Sequence, residues 1–265
     1  MSAADPRAVA PITLAPSTVA VVAAVLFAGG AVAGVNGFGF AAVGTAALAT
    51  WFDPRAAVVV MLFPLLAANL SLAAELRGDD LRACARRFWP YVLAAVVGAV
   101  AGMTLLVRIP THPLTVGLGV FTLAYVAVSQ RRLPVPGRRF VHRRCFAEST
   151  RAKVGLGVVS GALFGASNVG VQVVAYLRSR DLDRGTFVGV LASVFLGITA
   201  LRIGAAAWLG FYRGDTAALS VVGVVPALVG VAAGKRLRPA IPDATKRAAA
   251  LTLLTVLGLK LASGG

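Results

Sequence analysis

The chain of 265 residues contains few of the residues that most enzymes and metalloproteins require. It has two cysteines and two histidines, and Asp and Glu together number only 10. Cys84 and Cys145 lie in arginine-rich stretches without a Cys-x-x-Cys spacing, so neither a metal site nor a disulfide is indicated. We find no Ser/His/Asp arrangement, no His-Glu-x-x-His motif and no phosphate-binding loop. The sequence therefore predicts no enzyme activity, no metal and no cofactor.

Charge is scarce as well, and this defines the class of protein. Charged residues make up 14% of the chain and hydrophobic residues 58%, with a mean hydropathy of +0.84. A soluble domain has about 25% charged residues. Apolar runs fill most of the chain, and short connectors separate them. A single integral membrane domain follows, with the lipid bilayer as its partner.

The few charges that are present have mostly one sign. The net charge is +16, and nearly all of the 26 Lys and Arg residues lie in the connectors between apolar runs. A nucleic-acid binder would carry them on a folded soluble face, whereas positive connectors are typical of a membrane-topology signal. Nucleic acid is therefore not an expected partner.

Hydropathy divides the chain into eight apolar blocks. A helix needs about 20 residues to cross the hydrocarbon core. Most blocks fit one crossing, but the first is too long for a single helix. The blocks are residues 17–50, 56–74, 88–107, 114–129, 154–177, 186–209, 216–234 and 248–262.

The positive charges decide between two topologies, because cytoplasmic connectors carry the positive excess. If every block crosses once, the Lys and Arg residues of the connectors divide 15 to 10 between the two sides. If the first and fifth blocks each enter and return as broken helical hairpins, they divide 20 to 5. We therefore predict an all-α polytopic membrane protein with two inverted repeats, residues 17–129 and 154–262. Each repeat has one broken hairpin and three full transmembrane helices, and residues 130–153 form a basic cytoplasmic linker.

Glycines and amide side chains interrupt the two hairpin blocks at matching places. In lipid, an interrupted helix leaves backbone groups without partners, so such breaks occur where they line a cavity. Matching breaks in two repeats point to a transporter's substrate site, here one shared anion site near the membrane midplane. The alternative is that the glycines only allow close helix packing. The residues concerned are Gly34, Asn36, Gly37, Phe38 and Gly39 in the first break and Gly165, Ser167, Asn168, Gly170 and Gln172 in the second.

Two further polar residues lie inside apolar blocks. Arg202 is well inside the sixth block, where an ionisable residue is costly and usually functional, so we expect it to attract an anion. Its alternative role is snorkelling towards the end of the block. Asn69 either lines the cavity or makes a packing hydrogen bond. No Asp or Glu lies inside any block, which weighs against cation transport.

The breaks and the motifs beside them resemble a known family. The run from Gly34 to Gly39, with Asp53-Pro54-Arg55 and a second span containing Pro64 and Asn69, resembles the first repeat of TauE/SafE-type sulfite exporters. The stretch from Gly161 to Gly170, with Asp183-Arg184-Gly185-Thr186-Phe187, resembles the second. The resemblance covers nearly the whole chain, although Phe40 stands where the family commonly has another glycine. It implies a secondary carrier in the cell membrane, acting as an exporter of sulfur-containing or organic anions such as sulfite or sulfonates.

Two other functions remain open at this point. A channel-like facilitative permease for a small sulfur species would need no intramembrane carboxylate. A membrane scaffold could bind acidic lipid or a partner through its arginine-rich cytoplasmic face. The sequence leaves the particular anion, the direction, the coupling ion and the choice between monomer and homo-oligomer open.

Overall fold

The computed structural model describes residues 14–75, 78–108, 110–129, 150–167, 184–212 and 215–263. These residues form helices joined by short turns and contain no strand, which confirms the predicted all-α class for this part of the chain. The helices are α1 (Pro16–Asn36), α2 (Phe40–Leu48), α3 (Pro54–Val60), α4 (Leu62–Ala73), α5 (Gly78–Arg108), α6 (Thr111–Ser129), α7 (Thr150–Ser167), α8 (Arg184–Trp208), α9 (Asp215–Val222), α10 (Val224–Leu237) and α11 (Asp243–Ala262).

Several of these helices are suited to crossing a membrane. Pro16–Asn36, Leu191–Trp208 and Asp215–Leu237 are each long and apolar enough, and α3 with α4 is a fourth candidate that bends by 40°. Trp89–Leu105 and Val154–Ala166 are apolar but shorter. The described residues thus hold three to four candidate spans, and the layout of eight segments in two inverted repeats stays a prediction.

The outer surface of the helices is apolar. Leu93 and Val97 of α5 and Val225 and Val229 of α10 are all more than half exposed. Exposure of such a surface to water is unfavourable, whereas its contact with lipid tails is not. Exposed tryptophans stand near the ends of apolar segments, where membrane interfaces favour them. These are Trp51, Trp89 and Trp208.

The predicted interruption of the first block is present. α1 ends at Asn36 and α2 begins at Phe40, and α2 folds back along α1, which brings Phe40 and Gly44 close to Gly29. Gly37 has a φ of 82° and Gly39 a φ of 101°, which are left-handed conformations that side-chain-bearing residues rarely adopt. The amide of Gly37 donates to the carbonyl of Ala33 at 2.6 Å and closes the end of α1. Glycine is therefore required at both positions by the turn itself.

The bend between α3 and α4 has a specific cause. Pro64 has no N–H and cannot donate to the carbonyl of Val60, one turn earlier in the chain. The hydroxyl of Ser220 in α9 donates to that carbonyl instead, at 2.9 Å. A proline thus bends the span at the preceding turn, around Met61, and a side chain of the other half satisfies the released carbonyl.

Close backbone contact joins α1 to α10. Gly30 and Gly34 of α1 face Gly230 and Gly234 of α10. A Cβ added at any of the four would overlap a backbone atom of the opposite helix, so only glycine allows this approach. A Cβ on the α1 glycines would overlap the carbonyls of Ala227 and Val231, and a Cβ on the α10 glycines would overlap those of Phe27 and Ala31.

The same arrangement joins α7 to α5. Gly161 and Gly165 of α7 and Gly98 and Gly102 of α5 would each place an added Cβ against a carbonyl of the partner helix. Those carbonyls belong to Ala95 and Ala99, and to Val158 and Ala162. Adding 131 to the α1 numbers and subtracting 132 from the α10 numbers converts the first interface into the second, contact for contact. Two pairs of helices, far apart in sequence, therefore pack in one register.

Three helices end together at one end of the molecule. Arg238, which follows α10, donates from Nε to the carbonyl of Gly34 at 2.8 Å and from Nη1 to Glu75, just after α4, at 2.9 Å. The Nζ of Lys235 donates to the carbonyl of Ser71 in α4 at 2.7 Å. We call this region, defined by these five residues, the Glu75 end. Because α5 begins three residues after Glu75, it runs away from this end, in the direction opposite to α10.

Candidate substrate site at the helix breaks

The first break lies between α1, α2 and the beginning of α8. A Cβ at Gly37 would overlap the side chain of Val188 in α8, so the turn is pressed against that helix. Asn36 and Phe38 are half-buried, and Gly39 has only the side chain of Val32 near the position of an added Cβ. The predicted residues of this break are thus brought together by the turn.

The beginning of α2 points its backbone donors at the break. The first amides of a helix have no partner within the helix and carry the positive end of its dipole. α2 starts after Gly39, and no side chain caps it. Helix starts of this kind bind anions, so the break offers backbone N–H groups of the type expected from the sequence.

The contacts of α1 show where along the helices this break lies. α1 has 21 residues and is long enough to cross a membrane by itself. Its last turn, at Gly34, touches Arg238 at the Glu75 end. The first break therefore lies near the Glu75 end of the helix packing, and a shared anion site near the membrane midplane stays a prediction.

Arg202 reaches α7 near Ser167, the last described residue of that helix. Its Nη2 donates to the carbonyl of Gly165 at 2.9 Å, and its guanidinium lies over the ring of Phe164, 5.1 Å from the centroid. Phe164 in turn stacks on Phe195 of α8 at 4.8 Å. The side chain of Arg202 is fully buried, so it does not snorkel to the surface. A cation is thus held inside the protein against α7, and its role in attracting an anion stays a prediction.

Gly34 and Gly165 have a packing role that the sequence left as an alternative. Each lies against the backbone of the neighbouring helix, as described above, which explains why both are glycine. In addition, the carbonyl of each glycine accepts a hydrogen bond from an arginine. The carbonyl of Gly34 belongs to the last turn of α1, where the backbone lacks intrahelical donors.

Glu75 joins the two cations at its end of the molecule. Its carboxylate lies 3.0 Å from Lys235 Nζ and 2.9 Å from Arg238 Nη1. Burial opposes the charge of Glu75, but the hydrogen bonds from Arg238 and Lys235 outweigh it and lower the pKa of this carboxyl. Sequence reasoning placed these residues in connectors and missed the cluster, because Glu75 and its partners are more than 150 residues apart.

The remaining predicted residues are only partly placed. Asn69 of α4 is 5% exposed and faces the interior, which fits either of its predicted roles. Ser167 is the last residue of α7, and its side chain is not described. Asn168, Gly170 and Gln172 lie outside the described residues. The structure therefore places the first break and the approach to the second, up to Gly165 and Arg202.

Fold and site together define a polytopic helical membrane protein with a broken helix and a buried cation. A family model described as "Sulfite exporter TauE/SafE" matches residues 21–261 of the 265. The chain belongs to the TauE/SafE family, which confirms the predicted resemblance. Comparison with curated proteins and with solved structures gave no match. Family membership makes the chain a membrane transport protein for a small anion, of a family of transporters and not of enzymes.

Proposed function

We propose that this protein is a secondary transporter in the plasma membrane that exports small sulfur-containing or organic anions, such as sulfite or sulfonates. Arg202 carries the proposal beyond family membership. It is a fully buried arginine in a candidate span, and it contacts the last turn before a predicted helix break. Ionisable residues at such depth mark substrate or ion pathways.

Two repeats of opposite direction, residues 17–129 and 154–262, form the framework of the proposal. The matched register of the α1–α10 and α7–α5 interfaces supports the correspondence of the halves. α1 runs parallel to α10 and α7 runs parallel to α5, while α5 and α10 run in opposite directions. The 20-to-5 division of connector charges supports the same inversion from the sequence.

Alternating access of these halves is the proposed mechanism. The Glu75 end is held by hydrogen bonds and ion pairs among α1, α4 and α10. The opposite end, which we call the Phe211 end, is held by a separate apolar cluster of Val59, Leu62, Met103, Ala206 and Phe211. Each end is a candidate gate, and transport would open one while the other stays closed.

Counterflow in proteoliposomes tests the proposal. Vesicles preloaded with unlabelled sulfite should accumulate external radiolabelled sulfite transiently, and vesicles without protein should not. A carrier exchanges one anion for another, whereas a channel-like permease only equilibrates the label. Simple equilibration would therefore replace alternating access by the facilitative alternative. Absence of flux with sulfite, sulfonates and thiosulfate would contradict the transport function and favour a membrane scaffold.

A further inference from the structure

Two polar side chains of the central helices have donor atoms without an acceptor. Asn69 of α4 is 5% exposed, and Thr199 of α8 is fully buried. The amide nitrogen of Asn69 and the hydroxyl of Thr199 make no hydrogen bond within the described part of the chain. The helices that carry them pack against each other. Buried polar groups without partners are rare in native proteins, so both call for a physical reason.

Thr199 is unusual among the hydroxyl residues of these helices. A Ser or Thr inside a helix commonly donates to the carbonyl one turn earlier. Ser193 of α8 donates in this way to Gly189 at 2.8 Å, and Thr255 of α11 donates to Leu251 at 2.7 Å. Thr199 makes no such bond. Its hydroxyl therefore lacks the partner that a helix usually supplies.

The two donors hold the same position in their halves. α3 begins directly after Asp53, and α8 begins directly after Asp183. Asn69 and Thr199 are each the sixteenth residue after that aspartate. If the halves are repeats, as proposed above, the fold presents one unsatisfied donor on each of the two central helices.

We propose that Asn69 and Thr199 donate hydrogen bonds to oxygen atoms of the transported anion at two successive positions along the α4–α8 interface. The inference rests on the proposed transport function and adds Thr199 to its binding residues. Amide N–H and hydroxyl donors suit the acceptor oxygens of a sulfite or sulfonate group. Neither α4 nor α8 contains Asp or Glu, so nothing on these helices attracts a cation.

The two positions differ in charge. Arg202 follows Thr199 by three residues, which places both on one face of α8. Leu72 stands at the same distance after Asn69. The Thr199 position therefore combines a neutral donor with a buried cation, and we expect it to bind the anion more tightly than the Asn69 position.

Thr199→Val is the sharpest test, because valine keeps the shape of threonine and removes only the hydroxyl. We expect sulfite flux at low concentration to fall about tenfold, as for the loss of one hydrogen bond to a charged group. The thermal unfolding midpoint should stay unchanged or rise, because a buried group without a partner disappears. Asn69→Leu should lower flux less. Thr255→Val is the matched control, and its flux should remain at the wild-type level.

The outcomes separate this inference from the function on which it rests. Reduced flux with undiminished stability in Thr199→Val supports the inference. Wild-type flux and affinity in both Thr199→Val and Asn69→Leu would overturn it while leaving the transport function intact. A loss of thermal stability in Thr199→Val would show a structural hydroxyl and would also overturn it. If the wild-type protein shows neither sulfite flux nor a sulfite-dependent thermal shift, the function and the inference both fail.

Discussion

Two carbonyls at corresponding positions, in the helices that precede the predicted breaks, accept hydrogen bonds from different arginines. The carbonyl of Gly34 accepts a hydrogen bond from Arg238, which is partly exposed and paired with Glu75. The carbonyl of Gly165 accepts one from Arg202, which is fully buried and lies over Phe164. Arg238 and Arg202 come from non-equivalent helices. The two halves thus share the accepting carbonyl but differ in the arginine that donates to it. Arg238 belongs to the ion-paired Glu75 end, whereas Arg202 belongs to the candidate anion site.

Substitution of the packing glycines should give the largest loss of stability, and the loss should be similar in both halves. Gly34→Ala and Gly165→Ala each place a Cβ against the backbone of the neighbouring helix, and overpacking of this kind costs about 3 kcal/mol. Both variants should lose most of their monodisperse protein in size-exclusion chromatography. Gly155→Ala on α7 is the control, since no atom lies within 4 Å of its added Cβ. A Gly165→Ala protein as stable as this control would contradict the prediction that the two interfaces pack alike.

The two arginines should behave differently. Arg202→Gln should lower transport about tenfold or more at near-normal membrane abundance, because a charged donor inside the protein is lost. Arg202→Lys should keep part of the activity, since the charge remains without the planar fork of donors. Arg238→Gln should mainly lower the thermal unfolding midpoint. Equal transport losses in Arg202→Gln and Arg238→Gln would remove the distinction between the two sites.

Acid should weaken the Glu75 end in particular. The pKa of Glu75 is lowered in the folded protein, so its contribution to stability is complete above the unfolded pKa and is lost as pH falls through the folded pKa. We expect the wild-type unfolding midpoint to fall on acidification more than that of Glu75→Gln. At neutral pH, Glu75→Gln should cost about 1 kcal/mol of stability. Parallel acid dependence of both proteins would show that the cluster contributes nothing at this end.

If the two hairpins are inverted, as proposed, their returning ends should be labelled from opposite sides of the membrane. Single cysteine substitutions test this with the smallest disturbance to the protein. In a background lacking Cys84 and Cys145, Trp51→Cys should react with an impermeant maleimide in intact cells, because the proposed topology returns the first hairpin to the outer side. Ser179→Cys should react only after permeabilisation, because the proposed second hairpin returns to the cytoplasm. Labelling of both positions in intact cells would contradict the inversion.

How far the sequence predicts this molecule depends on the distance between interacting residues. The turn at Gly37 and Gly39 is predictable, because closely spaced glycines inside an apolar run weaken the helix at one point of the chain. The position of Arg202 inside an apolar block is visible in the sequence, but its burial against α7 is not, because the sequence alone leaves snorkelling open. The contacts of Glu75 with Lys235 and Arg238, and the missing partner of Thr199, are not, because they depend on helices that meet only in the folded chain.

The central claim is that both breaks bind the transported anion. Its most direct test is the apparent Kd for sulfite, measured by thermal stabilisation of purified Asn36→Leu, Asn168→Leu and the double variant. Each single substitution should raise the Kd about tenfold, as the loss of one hydrogen bond to a charged ligand does. The double variant should be folded, with its unfolding midpoint near that of the wild type, and nearly inactive. Unchanged Kd and flux in both single variants would contradict the claim and leave the glycine breaks as packing devices alone.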